Sequence, residues 1–390
     1  MKLLSINNCT GCSACYSSCP KSAIMMKEDS EGFLYPQIDE SKCVECGICE
    51  KVCPAINPLT NNDSLGKSYT ALHKDEGIRM KSSSGGFFTA LAEMIIDEGG
   101  VVFGAKFTDD FSVIHSWTDS KDGLADFRGS KYLQSVTGDT YKDCEGFLKQ
   151  GRKVLFTGTP CQIQGLKKFL KKEYENLVTA DLICTGVPCN ALWQKYIDYI
   201  CDKNNVTRND VTAVTVRNKD NGWKRYSISF VFNNGMKYTE PQTKGAWMDA
   251  FNKYVMMRKS CYNCPAKGVN IVSDITLGDF WGIEYYTRDF DDKGTSIIFA
   301  NTPCGHDLLE KIAGDLIITE IDNYKPEKYN GTLVKSVPMN KHREDFIQNC
   351  ISGDFMSAYI KYVKDGFFMK LCKYAVYQVN KITQRFRYEN

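Results

Sequence analysis

Two runs of cysteine near the N-terminus constrain the chain more than any other feature. They read Cys9-x-x-Cys12-x-x-Cys15-x-x-x-Cys19-Pro20 and Cys43-x-x-Cys46-x-x-Cys49-x-x-x-Cys53-Pro54. This is the spacing of thiolates that wrap cubane [4Fe–4S] clusters. Three cysteines of a run sit on one tight loop. The fourth is carried off by a short helix to the other cluster, and the proline redirects the chain. The expected ligand sets are Cys9, Cys12, Cys15 and Cys53 for cluster one, and Cys43, Cys46, Cys49 and Cys19 for cluster two. Zinc sites pair two C-x-x-C knuckles, and four thiols per run with a trailing Cys-Pro do not match that pattern. Eighteen cysteines in 390 residues fall short of the roughly 8–10% of a disulfide scaffold.

The chain is too long for this module alone and should hold about two to three domains. Its 49 basic and 47 acidic residues nearly cancel, so no global charge calls for nucleic acid. No apolar run approaches the ~18 residues of a membrane span, and too few residues precede Cys9 for a secretory signal. A reduced cytoplasm is the expected compartment.

Between the runs, Ala23–Met26 and Phe33–Pro36 flank a polar turn, the pattern of a hairpin whose apolar residues cover the clusters. Residues 59–67 read as a linker. Beyond it, Ser68–Leu72 reads as a strand. Ser82, Ser83, Ser84, Gly85 and Gly86 then open a helix with apolar spacing from Phe87 to Ile96. Such a loop can cradle phosphate on free amides, or simply cap the helix. Residues 126–135 form a polar loop in which Arg128 and Lys131 could face a cofactor phosphate or an acidic substrate.

Two strand–loop–helix units follow, Lys153–Leu166 and Leu177–Cys201. They predict parallel strands with both loops on the sheet edge where ligands bind. That edge would bring Cys161 and Cys184 together. Cys161, at a helix start, could be a nucleophile, a cluster ligand or an inert thiol. Residues 211–216 and 226–232 read as strands, with a turn at Asn233-Asn234-Gly235. Cys261-x-x-Cys264-Pro265 adds another knuckle, and Ser273–Gly282 runs from a strand into an acidic, aromatic turn. From Lys361 to Asn390 seven basic residues face two acidic ones, among Phe367, Phe368, Leu371, Tyr374 and Tyr377. A packed helix with a solvated basic face is favoured there over a membrane contact.

Several of these stretches resemble the coenzyme F-420 hydrogenase/dehydrogenase beta-subunit family: Ser83-Ser84-Gly85-Gly86-Phe87, Gly129-Ser130-Lys131-Tyr132, Phe156–Gln162, Ile183–Pro188, Cys261-x-x-Cys264-Pro265 and Ser273–Gly282. The resemblance spans about residues 68–305. It implies an iron–sulfur flavoprotein with FAD phosphates on Ser82–Gly86, and Lys131, Thr157, Gly158 and Thr159 at the flavin. It also implies a third [4Fe–4S] cluster on Cys161, Cys184, Cys261 and Cys264, with Cys189 as a substitute for Cys184. Lys131 and Tyr132 are the candidate catalytic groups.

The expected fold is α+β: a two-cluster ferredoxin-type domain (1–58), a mixed α/β flavin-binding domain (68–335) and a helical extension (336–390). The expected activity is an oxidoreductase passing electrons between the ferredoxin module and FAD, for a small-molecule acceptor that is deazaflavin-like or other. The alternative is an electron-transfer subunit docked to a catalytic partner. Either way the expected partner is a redox protein or low-potential electron carrier.

Overall fold

The structure is a computed structural model that describes residues 7–60, 66–287, 290–322 and 324–365. At its N-terminal end, β1 (Ile24–Glu28) pairs antiparallel with β2 (Leu34–Ile38), Ile24 opposite Ile38. One carboxylate oxygen of Asp29 accepts from the amides of Glu31 and Phe33 at 3.0 Å, which closes the turn. The anticipated hairpin is therefore present. Each cysteine loop leads into a short helix, Ala14–Ser18 and Ile48–Lys51.

The body is built on a sheet of eight strands: β3 (Lys67–His73), β4 (Val101–Phe107), β5 (Val113–Thr118), β6 (Val154–Gly158), β7 (Leu177–Leu182), β11 (Ile275–Asp279), β12 (Ser296–Ala300) and β13 (Leu316–Glu320). Their order is β13-β3-β12-β11-β7-β6-β4-β5. The centre, β11-β7-β6-β4, is parallel, while β12, β13 and β5 run against their neighbours. A separate antiparallel sheet holds β8 (Val211–Asn218), β9 (Ser227–Phe232) and β10 (Lys237–Pro241), with the Asn-Asn-Gly turn joining the last two. The mixed α/β body behind an N-terminal module agrees with the expected α+β class.

Strand alternation divides the core between the two faces of the sheet. Val102, Leu155, Val178 and Ala180 pack under the helix Phe87–Asp97, with its Ala90, Leu91 and Ile95. Phe103, Val154 and Phe156 face the other way, against Ile163 and Leu166 of the helix Pro160–Leu170. Cys12, Ala14 and Val52 of the N-terminal module join that second cluster, so module and body share one core. A third cluster joins β8 and β9 to the helices Asn190–Asn204, Arg343–Ser352 and Phe355–Tyr362, and takes in Phe33 and Tyr35 of the hairpin. The first part of the helical extension is thus core. Its basic end, beyond residue 365, lies outside the described residues.

Candidate functional site

The two cysteine runs fold into matching loops. Gly11 and Glu45, at equivalent positions, are left-handed (φ 69° and 51°), as are Ser13 and Gly47 (φ 65° and 70°). That alternation curls three cysteines around one point, at a cost for the two non-glycine residues that tight sites typically bear. Cys9, Cys12, Cys15 and Cys53 border one hollow. Cys19, Cys43, Cys46 and Cys49 border a second, and Cys49 also reaches the first. Met26 and Pro36 of the hairpin cover the former, Ile24 and Ile38 the latter. The fourth cysteine of each run crosses to the other hollow, as the spacing predicts. Among the described residues no three such side chains converge as around a single ion; the thiols are spread around a larger space.

The electrostatics of the first hollow fit thiolate ligation. Burial, with the neighbouring Cys9 and Cys53 thiols, pushes Cys15 up to about 12; burial raises Cys12 well above its ordinary value too. Thiols so placed lose their protons only to a strong cationic centre, and binding then releases protons.

Cys161 begins the helix after β6 and Cys184 follows β7; Cys261 and Cys264 come from the segment after the helix Ala246–Asn252. All four are drawn together. Cys161 is pushed up to about 12 by burial and by the Cys264 and Cys184 thiols. Cys261 is raised by burial, then by Cys184, Cys264 and Cys161. The Thr159 hydroxyl lies 3.2 Å from Cys161 Sγ. Lys267 Nζ donates to the carbonyls of Cys184 and Thr332, placing a cation beside the group. Cys189 stands elsewhere: it packs under Gly32 of the hairpin turn and near Cys350.

The first hollow and the four-thiol group adjoin. The Cys161 thiol is near enough to act on Cys12. A Cβ at Gly165, one turn into the same helix, would lie 3.0 Å from Cys12 Sγ and 2.9 Å from the Tyr141 hydroxyl. Arg258 spans the junction. Its fully buried guanidinium donates to the carbonyls of Cys9 (2.7 Å) and Leu34 (2.9 Å) and to the Gln134 side-chain oxygen (3.0 Å). It lies 4.0 Å over the Tyr35 ring, with Nη2 3.8 Å from Cys9 Sγ. Nearby, Arg343 makes a buried two-pronged pair with Glu31 (2.6 and 3.0 Å), and Lys259 approaches the same carboxylate. Burial alone would raise Glu31; Arg343 and Lys259 hold it below the ordinary value.

The serine–glycine loop lies at the carboxyl edge of the same sheet. The hydroxyls of Ser82 and Ser84 donate to the carbonyls of Ile78 and Thr295, and Ser83 bonds Ser130. Gly85 is pressed against the sheet, where a Cβ would come within 2.1 Å of the Ala71 carbonyl. The side chains of this loop thus hold its shape, and the Gly85 amide is spent on Ser296 Oγ (2.9 Å), which leaves its neighbours' amides as the groups suited to an anion. The Thr157 hydroxyl donates to Phe103 O, and Thr159 with Gln162 caps the next helix. Lys131 Nζ donates to the carbonyls of Asp126 and Arg128, and burial brings it down to about 7. Tyr132, left-handed at φ 53°, accepts from Arg217 at 3.1 Å.

Arg217 and Lys219 are residues that motif reading missed. Arg217 pairs with Asp279 (2.8 Å) and bonds the Ser83 carbonyl, while its buried Nε has no partner. Lys219 Nζ is held by the carbonyls of Arg79, Ser84 and Lys293 and has no acidic partner in contact among the described residues. Burial, then Arg217 and Arg79, bring it down to about 7. Trp223 and Trp281 stack 4.7 Å apart beside this group, and Trp223 donates to Asp279. Two basic residues leaving an apolar strand two positions apart were the available signal.

Residues 8–56 match the family model of a 4Fe-4S dicluster domain, and residues 151–324 match that of the C terminus of the coenzyme F420 hydrogenase/dehydrogenase beta subunit. No curated protein matches the chain. Among solved structures, a chain of the F420-reducing [NiFe] hydrogenase complex from Methanosarcina barkeri is 19% identical with a TM-score of 0.48, covering 76% of this chain and 97% of that one. Residues 8–56 thus carry an iron–sulfur domain, and residues 151–324 carry the C-terminal domain of the coenzyme F420 hydrogenase/dehydrogenase beta-subunit family.

Proposed function

We propose that the chain is an iron–sulfur flavoprotein oxidoreductase that passes electrons between its N-terminal clusters and FAD, for an organic acceptor. The observation that carries this reading is the meeting of Cys161, Cys184, Cys261 and Cys264 beside Cys12, at the carboxyl edge of the sheet. Four half-buried thiols, three of them raised by others of the group, fit a further [4Fe–4S] cluster.

The fit to FAD rests on the cationic edge next to them. The partnerless Nε of Arg217 and the partnerless Nε2 of His73 are buried at the serine–glycine loop. Among the described residues Lys219 and Lys131 have no acid in contact. The amides of Ser83, Ser84 and Gly86 with Arg217 would hold the phosphates, Lys219 would add charge beside them, and Thr157, Gly158 and Thr159 would border the ring. A flavin there supplies the exchange between one-electron and two-electron chemistry that clusters lack. Tyr132, steadied by Arg217, is the better placed of the two candidate groups to hold a proton at the acceptor; Lys131 braces the loop that presents it. The stacked Trp223 and Trp281 wall off water.

The test is composition. Protein purified without oxygen should hold about twelve irons in three four-iron clusters and one flavin per chain. Cys261→Ala with Cys264→Ala should remove about four irons and spare the ferredoxin-type signals. Eight irons and no flavin would reject the reading.

A further inference from the structure

We propose that the lysine-rich basin beside the second cysteine hollow is the docking surface for a small acidic one-electron carrier protein. The inference rests on reading the eight N-terminal cysteines as ligands of two clusters.

Lys51 from the module and Lys167, Lys168, Lys171 and Lys172 from the far end of the helix Pro160–Leu170 and its exit surround an open basin of about 540 Å³ floored by Ile48 and Val52. Among the described residues only Glu173 offers opposite charge within it, 3.9 Å from Lys167. Among the described residues no carboxylate pairs with Lys51, Lys168, Lys171 or Lys172; Lys172 lies over the Tyr174 ring instead. The chain as a whole is nearly neutral, so this concentration of one sign is local.

Its position gives it a use. Ile48 lines the basin and also the hollow of Cys19, Cys43, Cys46 and Cys49, so one side chain separates them. On the same hollow Cys46 is exposed and Val44 is 58% exposed, whereas Cys12 of the first hollow is buried within the shared core. The second hollow is therefore the outer one. A cationic rim around an apolar floor matches the face of a carrier with a carboxylate ring around its own redox centre, and the field raises encounter rates. Cys19, Cys43, Cys46 and Cys49 would hold the group that accepts one electron from the carrier's reduced centre. No bond is made or broken and no proton moves. A nucleic acid would meet the same lysines, but it has no reason to sit where the outer site reaches the surface.

The test uses the full chain purified without oxygen, with iron counted first. A purified acidic two-cluster ferredoxin is the probe, at low and high ionic strength. Both its Kd and the rate at which it reduces the chain are read. Lys168→Glu combined with Lys171→Glu and Lys172→Glu should weaken binding and slow reduction by about tenfold or more at low salt, and flatten the salt dependence. Reduction by methyl viologen radical should stay within about twofold. The single variant Lys51→Glu should move the same readouts in the same direction and guards against misfolding of the triple variant. A wild-type chain without iron would sink this proposal together with the reading beneath it. Full iron with an unchanged ferredoxin rate and Kd in the variants would overturn the docking surface alone. So would variants that lose only affinity for DNA or for anionic vesicles.

Discussion

Arg258 is the most exacting place to perturb the molecule, because it holds the N-terminal module to the body and also sets a charge near the first cluster site. Replacing it with leucine strips donors from three buried acceptors, Cys9 O, Leu34 O and the Gln134 oxygen. Each orphaned acceptor costs about 1–3 kcal/mol. The lost contact with the Tyr35 ring adds about 1–2 kcal/mol for a desolvated pair. Relief from burying a charge offsets part of this, which leaves about 3–5 kcal/mol, the usual effect of breaking a buried charged network. Lysine should recover about a third to a half of that loss, since it keeps the charge but lacks the planar fork.

The redox consequence separates the two variants. A unit charge about 4 Å from a sulfur is worth about 4 kcal/mol at an effective dielectric of 20. The added electron is shared over the whole cluster, so about a quarter of this acts. That is about 1 kcal/mol, or about 40 mV for one electron. Removing a cation disfavours the reduced state, so Arg258→Leu should lower the midpoint potential of the first cluster by about 40 mV. Arg258→Lys should leave it nearly unchanged. Hydrogen exchange across β1 and β2 reads the first effect, and an EPR-monitored redox titration reads the second. If Arg258→Leu costs less than about 1 kcal/mol and leaves the potential in place, Arg258 neither fastens the module nor tunes it.

Other perturbations address neighbouring joints. Glu31 is held below its ordinary value, so its pair with Arg343 contributes stability above the carboxylate range. That contribution should fade as pH falls through about 4 and below; Arg343→Met should abolish that acid-side dependence in denaturant titrations. Asp181, at the end of β7, is pushed up to about 7 by burial against the pull of Thr276, Ser273 and Lys267. It is protonated in the fold at pH values where the unfolded chain has already ionised. Stability should therefore decline by up to about 4 kcal/mol between about pH 4 and 7, and Asp181→Asn should flatten the decline. Gly165→Ala would drive a methyl into Cys12 and Tyr141. Despite the better helix propensity of alanine, it should cost about 1–3 kcal/mol through overpacking, and iron content should show whether the first site is disturbed.

Local chemistry was legible in the sequence because it depends on spacing. The cysteine runs dictated loops that curl on themselves, Asp29 and Gly32 dictated a hairpin, and the strands ending at Gly158 and Leu182 placed Cys161 and Cys184 on one edge. What escaped were partnerships across long stretches of chain. Nothing around Arg258 announces that it will reach back 249 residues to Cys9, nor anything around Arg343 that it will find Glu31. Arg217 and Lys219 look like solvated residues at a strand end until the fold buries them. The loop at 82–86 reads as a cradle of free amides or a helix cap, and the partners of its serine hydroxyls on Ile78, Thr295 and Ser130 become visible only once the loop is pressed against the sheet.

The helix Pro160–Leu170 touches each part of the proposed electron path. Its first turn presents Cys161, its middle rests on Cys12, and lysines leave its far end at the rim of the outer site. Eleven residues at 1.5 Å per residue make a strut of about 16 Å, pinned at both ends by packed side chains. Separations along the relay are then fixed by the geometry of one rod and not by a hinge between two bodies. Transfer between the module and the interior should therefore be insensitive to solvent viscosity.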